Sequence, residues 1–109
     1  MLYDKRWETT EAPVTPKLER WRQILLDAAD YLETHGWVQR TLRKGDRACA
    51  LGAIQAIAPY DGTKDYYYAA HALAAHVGAW VACWNDVPGR TKEQVIAEMR
   101  ATARTGATS

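Results

Sequence analysis

The sequence has only two cysteines and no long apolar run, and each of these two shortages excludes a class of protein; it also has no phenylalanine. Two cysteines are too few for a disulfide-rich secreted scaffold, and they do not form the Cys-x-x-Cys pair that is typical of zinc and redox sites. No segment approaches the roughly 18 apolar residues that span a bilayer, and the N-terminus lacks the apolar stretch of a secretory signal. We therefore expect a cytoplasmic protein with free thiols and no membrane contact.

A strong net charge is also missing. The 14 basic and 13 acidic residues leave a net charge of +1, so no overall field draws the chain to nucleic acid or to an anionic membrane. Apolar residues make up 48% and charged residues 25% of the 109, which is the ordinary mix of one soluble globular domain. The chain is instead rich in aromatic rings that carry a polar atom, with five Trp and six Tyr, and such rings suit protein interfaces.

Apolar residues recur at helical spacing and predict an all-α fold, a compact four-helix domain with a non-helical N-terminal arm. Residues 1–15 form the arm, residues 16–104 a single helical domain and residues 105–109 a mobile tail. Residues that cap and terminate helices place the four helices at 16–35, 47–58, 64–83 and 92–104.

The helix caps can be named. Asp46 is predicted to cap the second helix and Thr63 the third, while Thr91 and Gln94 form a capping box for the last. Gly52 inside the second helix indicates a close approach of another backbone, because glycine in mid-helix costs about 1 kcal/mol relative to alanine. The third helix is predicted to be the central core element, with one apolar face made of Tyr66, Ala70, Leu73, Val77, Trp80, Val81 and Trp84.

One set of residues has the types that a cysteine hydrolase or transferase needs. Cys49 would supply the thiolate, His71 or His76 the imidazole, and Asn85 or Asp86 the group that orients it. The alternative is that Cys49 is a small buried residue of an alanine-rich helix. The two histidines are five residues apart and cannot face one ion, so no metal site and no cofactor is predicted.

The segment between the first two helices is predicted to be a loop with a Lys-Gly-Asp turn, and it holds the densest charge of the chain. A solvated loop is the simple interpretation. The alternative is nucleic-acid binding, in which the cations contact phosphates and Trp7 or Trp37 stacks on a base. The four cations are Arg40, Arg43, Lys44 and Arg47.

Three motifs resemble a family of small uncharacterised proteins from actinobacteria and their bacteriophages. They are His-Gly-Trp at 35–37, Cys-Ala-Leu-Gly-Ala at 49–53 and Trp-Asn-Asp-x-Pro-Gly-Arg-Thr-x-Glu-x-Val at 84–95, and the likeness covers about residues 25–104. The resemblance implies an actinobacterial or phage origin and brings no established activity. It also implies that the following are framework positions: Gly36, Trp37, Cys49, Gly52, Trp84, Asn85, Asp86, Arg90 and Thr91.

The surplus of Trp and Tyr, the near-neutral charge and the lack of a coherent active site favour a non-enzymatic interaction module. We expect a phage accessory protein in the host cytoplasm that binds a host protein or a second copy of itself as a homodimer. Nucleic acid is the less favoured partner. The predicted contact residues are Trp7, Tyr60, Tyr66, Tyr67 and Tyr68.

Overall fold

The computed structural model describes residues 17–59 and 63–105, and this part of the chain is mostly helical. Trp7, Tyr60, the predicted arm and residues 106–109 of the predicted tail lie outside it. The described ranges contain no helix that is long and apolar enough to cross a membrane. The elements are α1 (Lys17–His35), β1 (Arg43–Lys44), β2 (Arg47–Ala48), α2 (Ala50–Ile57), α3 (Asp65–Val77), α4 (Val81–Asn85) and α5 (Lys92–Thr105).

Helix α1 is the centre of the core, and α2, α3 and α5 pack against it. Its predicted apolar stripe is confirmed, because Trp21, Leu25, Ala28 and Leu32 are all buried. Leu25 and Leu32 are fully inaccessible to solvent. A helix with this stripe gains most of its stability from packing rather than from its own backbone.

Helix α5 lies antiparallel to α1. At the C-terminal end of α5, Arg22 Nη1 donates to the Ala103 carbonyl at 2.8 Å, and at its N-terminal end Lys92 Nζ donates to the Glu33 carbonyl at 3.4 Å. The predicted capping box is present, since Thr91 Oγ1 accepts from the Gln94 amide and Gln94 Oε1 accepts from the Thr91 amide, both at 3.1 Å. The start of α5 was therefore predicted correctly.

The second helix begins at Ala50, three residues later than predicted. Arg47 and Ala48 form β2 instead, which pairs antiparallel with β1 in a hairpin. Gly45 permits the tight turn with φ of 62°. Asp46 lies in this turn, and the cap of α2 is the Cys49 thiol, whose Sγ accepts from the Gly52 amide at 3.3 Å. The predicted loop is thus a hairpin, and the predicted Asp46 cap is wrong.

The third predicted helix is two helices. Gly78 ends α3 with a left-handed conformation, φ 76° and ψ 26°, and its amide donates to the Ala74 carbonyl. The chain restarts as α4 at Val81. The break turns Trp80 away from the core, so the prediction that Trp80 belongs to the core face is wrong and its side chain is 72% exposed. The four-helix count was therefore approximate, although the mostly helical fold is confirmed.

Candidate functional site

The three sequence motifs meet around the side chain of Asn85, which is fully buried. Its Oδ1 accepts from Trp37 Nε1 at 2.7 Å and from the Ala50 amide at 3.0 Å. Its Nδ2 donates to the Val38 carbonyl at 3.3 Å and to Asp86 Oδ1 at 3.0 Å. A buried amide that uses both ends in this way joins α4, α2 and the segment before the hairpin. We call these residues the Asn85 network.

The network also fixes the backbone before the hairpin. Asp86 Oδ1 accepts from the Arg40 amide at 2.9 Å, and Gln39 Nε2 donates to the carbonyls of Asn85 and Val87, both at 3.1 Å. Arg40 has φ of 72° and is the one non-glycine residue with positive φ in the described part of the chain. Such a conformation costs about 1–2 kcal/mol for an L-residue and persists where surrounding contacts impose it.

Cys49 and Gly52 bring α2 against the hairpin. The Cys49 amide donates to the Leu42 carbonyl at 3.1 Å, and a Cβ added at Gly52 would lie 2.2 Å from that carbonyl oxygen. This is the close backbone approach that Gly52 predicted. Burial raises the pKa of the Cys49 thiol, because a thiolate is poorly solvated there. At neutral pH the group is therefore a neutral helix cap.

The remaining framework residues have structural contacts. Arg90 Nε donates to the Trp84 carbonyl at 2.9 Å, and the guanidinium lies 4.8 Å from the centroid of the Trp84 ring. Gly36 has φ of 107° beside the Arg47 side chain, and Thr91 caps α5. Each of these contacts joins neighbouring parts of the described fold.

Two clefts open beside the Asn85 network. The first, the Trp80 cleft, has a volume of about 220 Å³ and the second, the Arg40 cleft, about 200 Å³. Leu51 and Ala82 line both, so the clefts are neighbours on one face. The Trp80 cleft is otherwise lined by Ala70, His71, Ala74, Trp80 and Val81. The Arg40 cleft is otherwise lined by Arg40, Thr41, Leu42, Cys49 and Asp86.

The predicted contact residues that can be placed do not line these clefts. Tyr66 is half-buried and packs against the core, while Tyr67 and Tyr68 are exposed on α3. Tyr66 and Tyr67 pack edge to face with their ring centroids 5.4 Å apart. Reasoning from sequence missed Trp80, and the signal for it was the glycine two residues earlier.

The structure brings only part of the proposed catalytic set together, since Cys49 and Asp86 line the same cleft. Cys49 lines the Arg40 cleft and His71 the Trp80 cleft, while His76 Nε2 lies 3.0 Å from Glu98 Oε1. In residues 17–59 and 63–105, neither histidine is hydrogen-bonded to the thiol. The same ranges contain no group of three side chains that could hold a metal ion.

Cys49 should react slowly with iodoacetamide. Because its thiol is buried with a raised pKa, we expect alkylation at pH 7.5 at least about tenfold slower than at the exposed Cys83, with peptide mass spectrometry to assign the sites. Denaturant should make the two rates equal. Faster reaction at Cys49 than at Cys83 in the folded protein would support the cysteine-enzyme alternative instead.

The four cations of the predicted basic loop are exposed, and none forms an ion pair with another described residue. Trp37, proposed to stack on a base, is half-buried with its indole N–H bonded to Asn85. The cations that the nucleic-acid alternative requires are therefore exposed, but Trp37 is not free to stack on a base. Trp7, the other ring proposed for stacking, lies outside the described residues.

The fold and the site together place this protein among small, mostly helical domains. Its hairpin is joined to the helices by hydrogen bonds of a buried asparagine. The chain belongs to DUF6197, a family of unknown function, which it matches over residues 16–105. The expectation of an uncharacterised family is confirmed by this match. Comparison with curated proteins and with solved structures found no match.

Proposed function

We propose that this protein is a non-enzymatic module that binds another protein through the face formed by the Trp80 cleft and the Arg40 cleft. The observation that carries the proposal is Trp80, whose side chain is 72% exposed beside an apolar cleft. Tryptophan is enriched among the residues that dominate binding energy at interfaces. An exposed ring beside an apolar depression is the arrangement that such an interface uses.

The two clefts are small. Their volumes of about 220 and 200 Å³ are below the roughly 300–1,000 Å³ typical of sites that enclose a drug-sized ligand. A further depression of about 490 Å³ shares His71, Ala74 and Trp80 with the Trp80 cleft, so the whole face is larger than either cleft and can accept several side chains of a partner. The thiol in the second cleft is protonated at neutral pH, so it contributes apolar surface rather than a nucleophile.

The proposal extends to the origin and location of the protein. We propose that it is encoded by an actinobacterium or by one of its bacteriophages and acts in the host cytoplasm as an accessory protein. The likeness of the motifs at 35–37, 49–53 and 84–95 supports this origin. A gene that lies in a phage genome or prophage would agree with it, and a gene from an unrelated lineage would contradict it.

Trp80→Ala should weaken the interaction. We expect association at least about tenfold weaker, because truncation of an exposed tryptophan removes one wall of the cleft that the partner enters. Association is measured by sedimentation velocity of the purified protein and by in-cell crosslinking of the tagged protein. Val87→Ala is the matched control, since Val87 is an exposed apolar residue that lines neither cleft.

Either of two outcomes supports the proposed binding module: the protein forms a homo-oligomer, or it is crosslinked to a partner. In both cases the association must be lost in Trp80→Ala and retained in Val87→Ala. The proposal is wrong if the protein is monomeric and Trp80→Ala keeps every crosslinked species. It is also wrong if no species is crosslinked at all.

A further inference from the structure

We propose that the partner is a protein segment that carries acidic residues next to a large apolar side chain. The apolar side chain enters the Trp80 cleft, and a carboxylate pairs with the guanidinium of Arg40. This inference rests on the proposed function and adds the chemistry of the partner to it.

The first observation is the continuity of the two clefts. Leu51 and Ala82 line both, so an extended segment that fills the apolar cleft continues past these residues to Arg40. The composition changes along this path, from aliphatic and aromatic side chains to a cleft whose lining includes Arg40, Thr41 and Asp86. A ligand that matches both parts must itself change from apolar to anionic.

The second observation is the conformation of Arg40. It has φ of 72°, although glycine or asparagine occupies that region at lower cost. Its amide is held by Asp86 Oδ1, while its guanidinium makes no hydrogen bond or ion pair with a described residue. The fold thus fixes the backbone of a cation that lines the cleft and that pairs with no described residue, which is typical of a binding residue.

The third observation is the charge around the Arg40 cleft. The segment from 40 to 47 contributes four exposed cations and one exposed carboxylate, Asp46. Asp86 is the further carboxylate that lines the cleft, and its Oδ1 already accepts from Arg40 and Asn85. Arg40 and Asp86 are the two charged residues of the lining itself, and the excess of two positive charges, four cations against two carboxylates, belongs to the segment and Asp86 together. Such local complementarity selects anionic partners and speeds their association.

A peptide fits this face better than a nucleic acid. A single strand needs exposed rings among the cations on which bases can stack. Trp37 is committed to Asn85, and Trp80 does not line the Arg40 cleft. The Trp80 cleft is lined mainly by aliphatic carbon, which suits leucine, methionine or phenylalanine and offers little to the polar edges of a base.

The test is selection from a random dodecamer peptide library against the immobilised full chain. We expect the selected peptides to pair Asp or Glu with Leu, Met, Phe or Trp. The best peptide is then labelled with fluorescein and titrated by fluorescence anisotropy. Arg40→Gly should weaken its binding about tenfold and Arg40→Lys less, because lysine keeps the charge but not the guanidinium geometry.

The controls separate folding from binding. Arg40→Gly should keep the far-UV circular dichroism and thermal midpoint of the parent, since glycine is suited to a φ of 72°. Arg104→Ala removes one exposed cation from α5, which lines neither cleft, and should bind the peptide normally. Affinity should fall between 50 and about 300 mM NaCl for the parent and less steeply for Arg40→Gly.

The outcomes distinguish this inference from the proposed function. Neutral peptides that need Trp80 and ignore Arg40 would overturn the acidic partner and leave the binding module standing. Peptides that need neither residue, or no selected peptide at all, would overturn both. Displacement of the peptide by a 20-nucleotide single strand that binds more tightly would overturn the choice of a peptide over nucleic acid.

Discussion

Asn85→Ala is expected to lower the free energy of unfolding by about 4 kcal/mol, since each buried polar group left without a partner costs about 1–3 kcal/mol. The substitution removes the acceptor of the Trp37 indole and of the Ala50 amide, and the donor to the Val38 carbonyl. It also leaves a cavity at a fully buried position. A loss of this size is a large share of the roughly 5–15 kcal/mol that stabilises a typical domain.

Urea denaturation followed by far-UV circular dichroism measures this effect. Gln23→Ala is the matched control, because it also removes a side-chain amide but from an exposed pair with Asp27, and it should cost less than about 0.5 kcal/mol. Asn85→Asp keeps the two acceptor bonds, loses the donor to Val38 and adds a charge beside Asp86, so it should also destabilise. A loss below about 1 kcal/mol for Asn85→Ala would show that the network does not hold the fold.

Gly52→Ala is expected to destabilise the protein by about 3 kcal/mol, although the same change in an exposed helix interior stabilises by about 1 kcal/mol. The sign reverses because the new Cβ would lie 2.2 Å from the Leu42 carbonyl oxygen and 3.2 Å from the Ala48 Cβ. Neither neighbour is the end of a flexible side chain. The hairpin must therefore move away from α2 and lose the hydrogen bond from the Cys49 amide to Leu42.

The same unfolding measurement tests this prediction, with Gln55→Ala as the control within α2. Gln55 is half-buried and its side chain makes no hydrogen bond or ion pair with a described residue, so its replacement should change stability by less than about 0.5 kcal/mol. If Gly52→Ala proves as stable as the parent, the hairpin is free to shift and the close approach does not position the Arg40 cleft.

The long helices were predictable because their signals are local. The stripe of α1 from Trp21 to Leu32 repeats over about three turns, and the Thr91–Gln94 box marks the start of α5 within four residues. The hairpin strands have two residues each, which is too short for any periodicity. The end of α3 was not predicted because its apolar pattern continues past Gly78. In a sequence, a glycine that ends a helix cannot be distinguished from a glycine inside one.

The candidate site was predictable only in its parts. The motifs named Trp37, Cys49 and Asn85 as framework residues, but their meeting depends on hydrogen bonds between residues 35 and 48 positions apart. Sequence patterns carry no information on such contacts. The exposure of Trp80 could not be predicted from sequence patterns either, because it depends on the separation of α3 from α4.

The bonds of Asn85 and Asp86 join the hairpin base and α4 into one hydrogen-bonded unit, in which contacts within the protein itself hold Arg40 in its backbone conformation. A pre-organised surface loses little conformational entropy when it is occupied, so more of the contact energy becomes affinity. Folded variants that merely loosen this unit should therefore release a bound peptide faster, although they alter no atom that the peptide touches.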